Sequence, residues 1–262
     1  MSGQRIPIFQ VDSFSDQVFS GNPAAVCPLE AWLPDDLMQS IAAENNLAET
    51  AFFVKNDGRY HLRWFTPVCE VDLCGHATLA SAHVLFEELG YDADVIRFDT
   101  KSGELAVRRE GGRLAMNFPS RPPQAVEPDP ILLSALGGKP AAVLAARDYL
   151  VVFDSEDELK ALRPDMPAIS KLDRFAVIVT APGRDCDFAS RFFAPAQGIP
   201  EDPATGSSHC TLAPYWASRL GKTKLHARQV SPRGGELFCE LEGDRVKISG
   251  HAALFLKGQI SF

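Results

Sequence analysis

"EVDLCGHATLASAHVLFEELG" (residues 70–90) and "EDPATGSSHCTLAPYWASRLG" (residues 201–221) share one plan: an acidic entry, a glycine among small residues, and an apolar run ending in Leu-Gly. Gly75 to Gly90 and Gly206 to Gly221 are each fifteen steps. The match extends outward on both sides. "RWFTP" (63–67) precedes the first segment and "RFFAP" (191–195) the second, while "GELAVRREGGR" (103–113) and "GELFCELEGDR" (235–245) follow them. Strand, loop, helix and hairpin therefore occur twice in the same order, which marks a tandem duplication rather than chance likeness.

Within each repeat the pattern specifies the elements. Leu79, Ala80, Ala82, Leu85, Phe86 and Leu89 surround most of a helix from Gly75, and Leu212, Ala213, Tyr215, Trp216 and Leu220 do the same from Gly206. Such helices are too apolar for a surface and are expected to be central and buried. Strands are predicted at 94–99, 103–109 and 113–118, and again at 225–230, 235–241 and 245–250, joined by Gly-containing turns. Another helix is predicted over Asp35 to Asn45. The domains read as 1–118 and 131–251, separated by "PSRPPQAVEPDP" (119–130), whose five prolines favour an extended linker. The segment 252–262 is left over after the second repeat and is free to cross back and complete the first domain.

Composition bounds the function. A chain of 262 residues, 45% hydrophobic and 23% charged, has room for two ordinary globular domains. A formal net charge of −8 and a pI near 5.3 argue against nucleic-acid and anionic-membrane partners. The N-terminus "MSGQRIPIFQ" has no apolar signal region and no stretch is long enough to span a bilayer, so a cytoplasmic protein is expected. Cys27, Cys69, Cys74, Cys186, Cys210 and Cys239 lack C-x-x-C spacing and read as buried free thiols. Neither the histidines nor any Gly-rich loop gives a metal or nucleotide signature, so no metal and no cofactor is expected.

Two buried helices that each begin at small residues suggest one interdomain cleft faced by two helix N-termini. Each N-terminus carries roughly half a positive charge and unpaired N–H groups, which together suit a carboxylate. Cys74, Gly75 and His76 stand at the first start, and Thr205, Gly206, Ser207 and Ser208 at the second. The plainer reading is that these residues only cap helices. Glu49 poses a similar choice. In "NNLAET" (45–50) it sits at the mouth of the apolar run "AFFV", as either a solvated junction residue or a partly desolvated carboxylate.

"FQVDSFSDQVFSGNPAAV" (9–26), "NNLAETAFF" (45–53), "RWFTPVCEVDLCGHATLASA" (63–82) and "EDPATGSSH" (201–209) together resemble the phenazine-biosynthesis PhzF-like family of the diaminopimelate-epimerase fold superfamily. The motifs G-N-P-A, N-L-x-E-T, G-H-A-T and E-D-P-A-T-G-S make the resemblance specific, and it spans nearly the whole chain. It implies an α+β fold: two similar domains, each a curved, barrel-like, mostly antiparallel sheet around a central helix, with the active site between them. It implies a homodimer and a cofactor-independent isomerase acting on a small carboxylated substrate. Glu49 would be its general acid/base, helped by His76 and Asp202, with Cys74, Gly75, Gly206, Ser207 and Ser208 around the substrate.

The chemistry asks for such a set. Moving a hydrogen between carbons without a cofactor needs a base poised near the working pH and groups that stabilise the electron-rich intermediate. Burial beside Phe52 and Phe53 is expected to raise the Glu49 pKa. Two other classes stay open: an amino-acid-type racemase or epimerase, and a catalytically silent protein that binds small acids. The superfamily's epimerases use a cysteine at each helix start, whereas here Cys74 is matched by Thr205, whose hydroxyl is far too weak an acid to replace a thiol. His83 and His209 read as ordinary helix residues.

Overall fold

The computed structural model describes residues 4–262. Contacts divide the chain into one unit of Met1–Asn117 with Ser249–Phe262 and a second of Phe118–Ile248.

The first unit contains β1 (Arg5–Ser13), β2 (Asn22–Leu29), α1 (Asp35–Asn45), β3 (Glu49–Asn56), β4 (Arg59–Phe65), β5 (Glu70–Val71), α2 (Gly75–His83), β6 (Val95–Thr100), β7 (Gly103–Glu110) and β8 (Arg113–Pro119). The second contains β9 (Gln124–Ala125), α3 (Pro130–Leu136), β10 (Ala142–Ala145), β11 (Tyr149–Val152), α4 (Glu156–Ala161), α5 (Met166–Ile169), β12 (Val177–Pro182), β13 (Phe188–Ala194), β14 (Ile199–Asp202), α6 (His209–Leu220), β15 (Lys224–Gln229), β16 (Gly235–Glu242) and β17 (Arg245–Gly250). The last strand, β18 (Ala252–Ser261), belongs to the first unit and pairs antiparallel with β1 from Arg5↔Ser261 to Ser13↔Ala252.

Strand pairing repeats step for step. In the first unit β1–β2 is antiparallel, β2–β3 parallel, β3–β4 antiparallel, β4–β6 parallel and β6–β7 antiparallel. In the second, β10–β11, β11–β12, β12–β13, β13–β15 and β15–β16 run through the same sequence. Strand pairing within each unit is thus mixed. Parallel pairs fall where a helix carries the chain across, as a crossover requires.

The central helices are buried as their composition demands. Ala77, Thr78, Leu79, Ala80, Ser81 and Ala82 of α2 are all buried, and the hydroxyls of Thr78 and Ser81 donate to the carbonyls of Cys74 and Ala77, which lets polar residues sit there without loss. After His83 the helix widens into a π turn over Val84–Glu88, closed by Leu89 N–H to Val84 O. The predicted helix from Gly75 to Leu89 is therefore α-helical only in its first part. In α6, Trp216 donates to Thr180 Oγ1 at 3.0 Å and stacks on Phe188 with centroids 5.6 Å apart. Pro214 has no N–H to offer the Cys210 carbonyl, and the Arg121 N–H supplies it at 2.8 Å. Part of the proline-rich segment is thereby tied to the helix.

The second helix also starts later than predicted. Gly206–Ser208 forms a 3-10 turn and the α-helix begins at His209. The Thr205 carbonyl, which the first α-helical turn would use, is taken instead by Ser208 Oγ at 2.8 Å and His209 Nδ1 at 2.9 Å. The thiols need correction too: Cys69 is exposed and Cys186 half-buried, while Cys27, Cys74, Cys210 and Cys239 are buried. Cys69 lies in the turn after β4, where Thr66 Oγ1 accepts its N–H and the neighbouring Val68 is itself exposed.

Candidate active site

Glu49 reaches its place through a tight helix exit. Asn46 caps α1 in the left-handed conformation with its N–H on Ala42 O, an arrangement asparagine tolerates, and three residues later the chain enters β3. β3 lies parallel to β2 with Glu49 opposite Ala24, and Glu49 through Phe53 are all buried. On α2, Cys74 precedes the first turn in extended conformation and gives it no side-chain cap. The plain capping role is not what this residue does. A Cβ built on Gly75 would meet nothing within 4 Å, so the start of α2 is open at that point.

These elements bring Glu49, Cys74 and His76 together. His76 Nε2 stands 3.1 Å from Glu49 Oε2. Of the attractions that His76 exerts on Glu49, the Coulombic one is the larger. Cys74 Sγ is 3.5 Å from His76 Nδ1, and Asn22 Nδ2 is 3.3 Å from the same nitrogen. Ser13 Oγ donates to the His76 carbonyl at 2.8 Å, fixing the first turn of α2 against β1.

Electrostatics split the cluster into a base and an acid. Burial pushes the Glu49 carboxyl upward, but the His76 charge and hydrogen bonds from His76 and Cys74 outweigh it, and Glu49 is held below the usual carboxylate value. This corrects the expectation of a raised pKa: Phe52 and Phe53 are buried neighbours and burial is the largest single influence, but the His76 charge and the two hydrogen bonds together outweigh it. For His76, burial pulls down while the Cys74 sulfur and the Glu49 carboxylate push up, and the ring ends well above its ordinary value. Burial raises the Cys74 thiol to about 11. At neutral pH the sulfur is therefore uncharged, and it is Glu49 that keeps His76 protonated. The donor atoms of Glu49, Cys74 and His76 lie within 4.8 Å of one another, a spacing a small cation could also share. Glu49 and His76 neutralise each other, and Cys74 stays a thiol.

In the second unit the structure joins Asp202 to Thr205, whose Oγ1 donates to Asp202 Oδ2. Gln229 braces this loop three ways: its Oε1 accepts from Thr205 N–H at 2.9 Å, and its Nε2 donates to Asp202 O at 2.6 Å and Thr205 Oγ1 at 3.1 Å. Gly206, Ser207 and Ser208 form the turn that follows, with Gly206 and Ser208 buried. His209 is fully buried, and desolvation pulls its pKa down to about 4. Its ring is neutral at physiological pH, with Nδ1 donating to Thr205 O. Sequence reading missed three contributors. Asn22 had a signal, its place in G-N-P-A, but Ser13 and Gln229 are single polar residues in strands with none.

The chain is a duplicated α+β protein that sets a buried carboxylate–imidazole pair at the start of a buried helix. The model of the family described as phenazine biosynthesis-like protein matches residues 11–258, and the chain belongs to that family. An uncharacterized isomerase of Pseudomonas aeruginosa is 56% identical over 97% of this chain and 98% of its own. A PhzF-family crystal structure from Enterococcus faecalis superposes with a TM-score of 0.97 at 47% identity, covering 99% of this chain and 100% of that one. A hydroxyproline epimerase from Agrobacterium vitis shares the fold alone, with a TM-score of 0.60 at 11% identity over 98% of this chain and 93% of that one. The protein is an isomerase of the PhzF family with a diaminopimelate-epimerase-like fold. Among the described residues no helix is long and apolar enough to cross a membrane.

Proposed function

We propose that the enzyme moves a proton between carbons of a small carboxylated metabolite, with Glu49 taking the proton. The observation that carries this reading is the buried Glu49–His76 pair, an ionised base 3.1 Å from a protonated acid. Glu49 removes a proton from one carbon, His76 stabilises the negative charge that develops, and the proton returns to another carbon, so no electrons leave the substrate. The open backbone at Gly75, at the positive end of α2, suits the substrate carboxylate. Asp202, with Gly206, Ser207 and Ser208, is assigned the remaining polar contacts and the second proton position, following the family resemblance.

A racemase with two thiols is disfavoured by two facts. Thr205 stands where a second cysteine would be needed, and Cys74, raised to about 11, is almost wholly un-ionised at neutral pH and offers little thiolate to act as base. A silent binding protein is separated by experiment. Candidate carboxylates incubated with the protein in deuterated water should gain deuterium at carbon, and Glu49→Gln should slow this by about 10²–10⁴-fold while leaving the fold intact. Glu49→Asp keeps the charge but draws it back by roughly 1 Å, and should also lose most of the rate. Exchange at the wild-type rate in Glu49→Gln would remove Glu49 from the mechanism.

A further inference from the structure

We infer that Asn22 is a positioning residue that fixes which nitrogen of His76 carries the proton when the ring is neutral: Nε2, facing Glu49, with the lone pair on Nδ1. The inference stands on the hydrogen-bonding character of the neighbours and needs no particular substrate. Its use in turnover rests on the proton-transfer reading above.

Each ring nitrogen faces a different kind of partner. On the Nε2 side is the Glu49 carboxylate, which when ionised only accepts. On the Nδ1 side are Asn22 Nδ2 at 3.3 Å and Cys74 Sγ at 3.5 Å. The thiol has a single proton, and it is drawn to the Glu49 carboxylate as well as to the ring. The amide of Asn22, which has two N–H donors, is therefore the steady donor at Nδ1. The pattern selects Nε2–H and an acceptor at Nδ1. When His76 takes a second proton, Nδ1 becomes a donor, and the Asn22 amide answers by turning its oxygen toward the ring. The ring thus gains and loses its proton at Nδ1 while Nε2–H stays with Glu49. Among the described residues, Cys74 and Glu49 are the titratable groups that act most strongly on His76.

Chain geometry places Asn22 there deliberately. It begins β2 directly opposite Ser13 of β1, the same Ser13 that holds the His76 carbonyl. Gly21 before it has φ +68°, and a Cβ there would lie 2.2 Å from Ser13 O, so only glycine allows the approach. Asn22 is fully buried. The G-N-P-A motif is explained as a device for aiming one amide at His76.

The test is spectroscopic and independent of turnover. In histidine-labelled protein, the 15N signals of the six histidine rings are followed with pH and His76 is assigned with His76→Gln. Wild type should lose the Nδ1 proton first, giving a neutral ring with Nε2 protonated. Asn22→Leu, which removes the donor, should give mixed tautomers, and Asn22→Asp, an acceptor, should hold the proton on Nδ1. Cys74→Ala should keep the wild-type tautomer. The inference is overturned if wild type loses its Nε2 proton first, if both Asn22 variants keep the wild-type tautomer, or if Cys74→Ala alone changes it. If the tautomer shifts as stated but no substrate exchanges deuterium, the functional reading fails and this inference stands.

Discussion

Glu49 and His76 tie stability to pH through their shared ion pair. Glu49 is held below its ordinary value, so the stability it lends is present above about pH 4.3 and lost as the pH falls through its lowered value. His76 is raised, so its contribution is full below about pH 6.5 and lost as the pH rises through its raised value. The pair contributes most in the window between. The difference in unfolding free energy between wild type and Glu49→Gln/His76→Gln, measured by denaturant titration at fixed pH, should be greatest near pH 5–6 and shrink on both sides. A difference that stays flat from acid to alkaline pH would show that the two charges do not interact. At this scale the sequence exposed some residues and hid others. The motifs made Glu49, Cys74 and His76 candidates, because each sits at an element boundary beside small or apolar residues. Their meeting was invisible, since it depends on the parallel register of β2 with β3 and on the first turn of α2, neither of which local pattern encodes. For the same reason the sign of the Glu49 shift was misread: burial is legible in neighbouring phenylalanines, a cation from 27 positions away is not.

Ion pairs carry the duplication down to the elements. Arg63 on β4 grips Glu70 through Nε–Oε1 at 2.7 Å and Nη2–Oε2 at 2.8 Å, and Arg191 on β13 grips Glu201 through the same atoms at 2.7 and 2.9 Å. Glu70 and Glu201 each stand four residues before Cys74 or Thr205, the residue that precedes the helical turn of each repeat. Each fork therefore ties its strand to the loop that leads into the central helix of its unit. The Arg191 pair is the more enclosed, with side chains 10% and 16% exposed against 61% and 70% for Arg184 and Asp157. Arg191 also donates from Nη1 to the Leu159 and Leu162 carbonyls. Glu201→Ala should cost about 3 kcal/mol because it leaves that guanidinium buried without its counter-ion. Asp157→Ala should leave the urea midpoint nearly unmoved, and equal effects of the two would refute the argument. Helix α1 and the hairpins β6–β8 and β16–β17 were legible within a residue or so, since apolar periodicity and Gly-containing turns are local signals. The region from α3 to β12 was not. Its helices are as short as four residues and its strands β11 and β12 are buried almost throughout, so neither alternation nor a helical stripe develops.

The chain closes its first unit with its last residues. β18 pairs with β1 along its whole length, and β1 in turn carries Ile6, Ile8, Phe9 and Val11 into the buried interior of that unit. The sequence left 252–262 over after the second repeat, yet nothing local in "AALFLKGQISF" identifies β1 as its partner, because strand pairing over such a distance is a property of the whole fold. Removing the strand exposes one hydrogen-bonding edge of β1, and burial of its apolar face no longer holds it against β2. The second unit, Phe118–Ile248, loses no residue of its own. A chain ending at Gly250 should therefore keep slow amide exchange in β11–β13 and lose it in β1–β3, where the global and local opening energies separate. Adding a synthetic 251–262 peptide should restore protection to β1–β3, which distinguishes a missing strand from general misfolding. Wild-type protection throughout the truncated chain, or failure of the peptide to restore it while β11–β13 stay protected, would show that the first unit does not depend on β18.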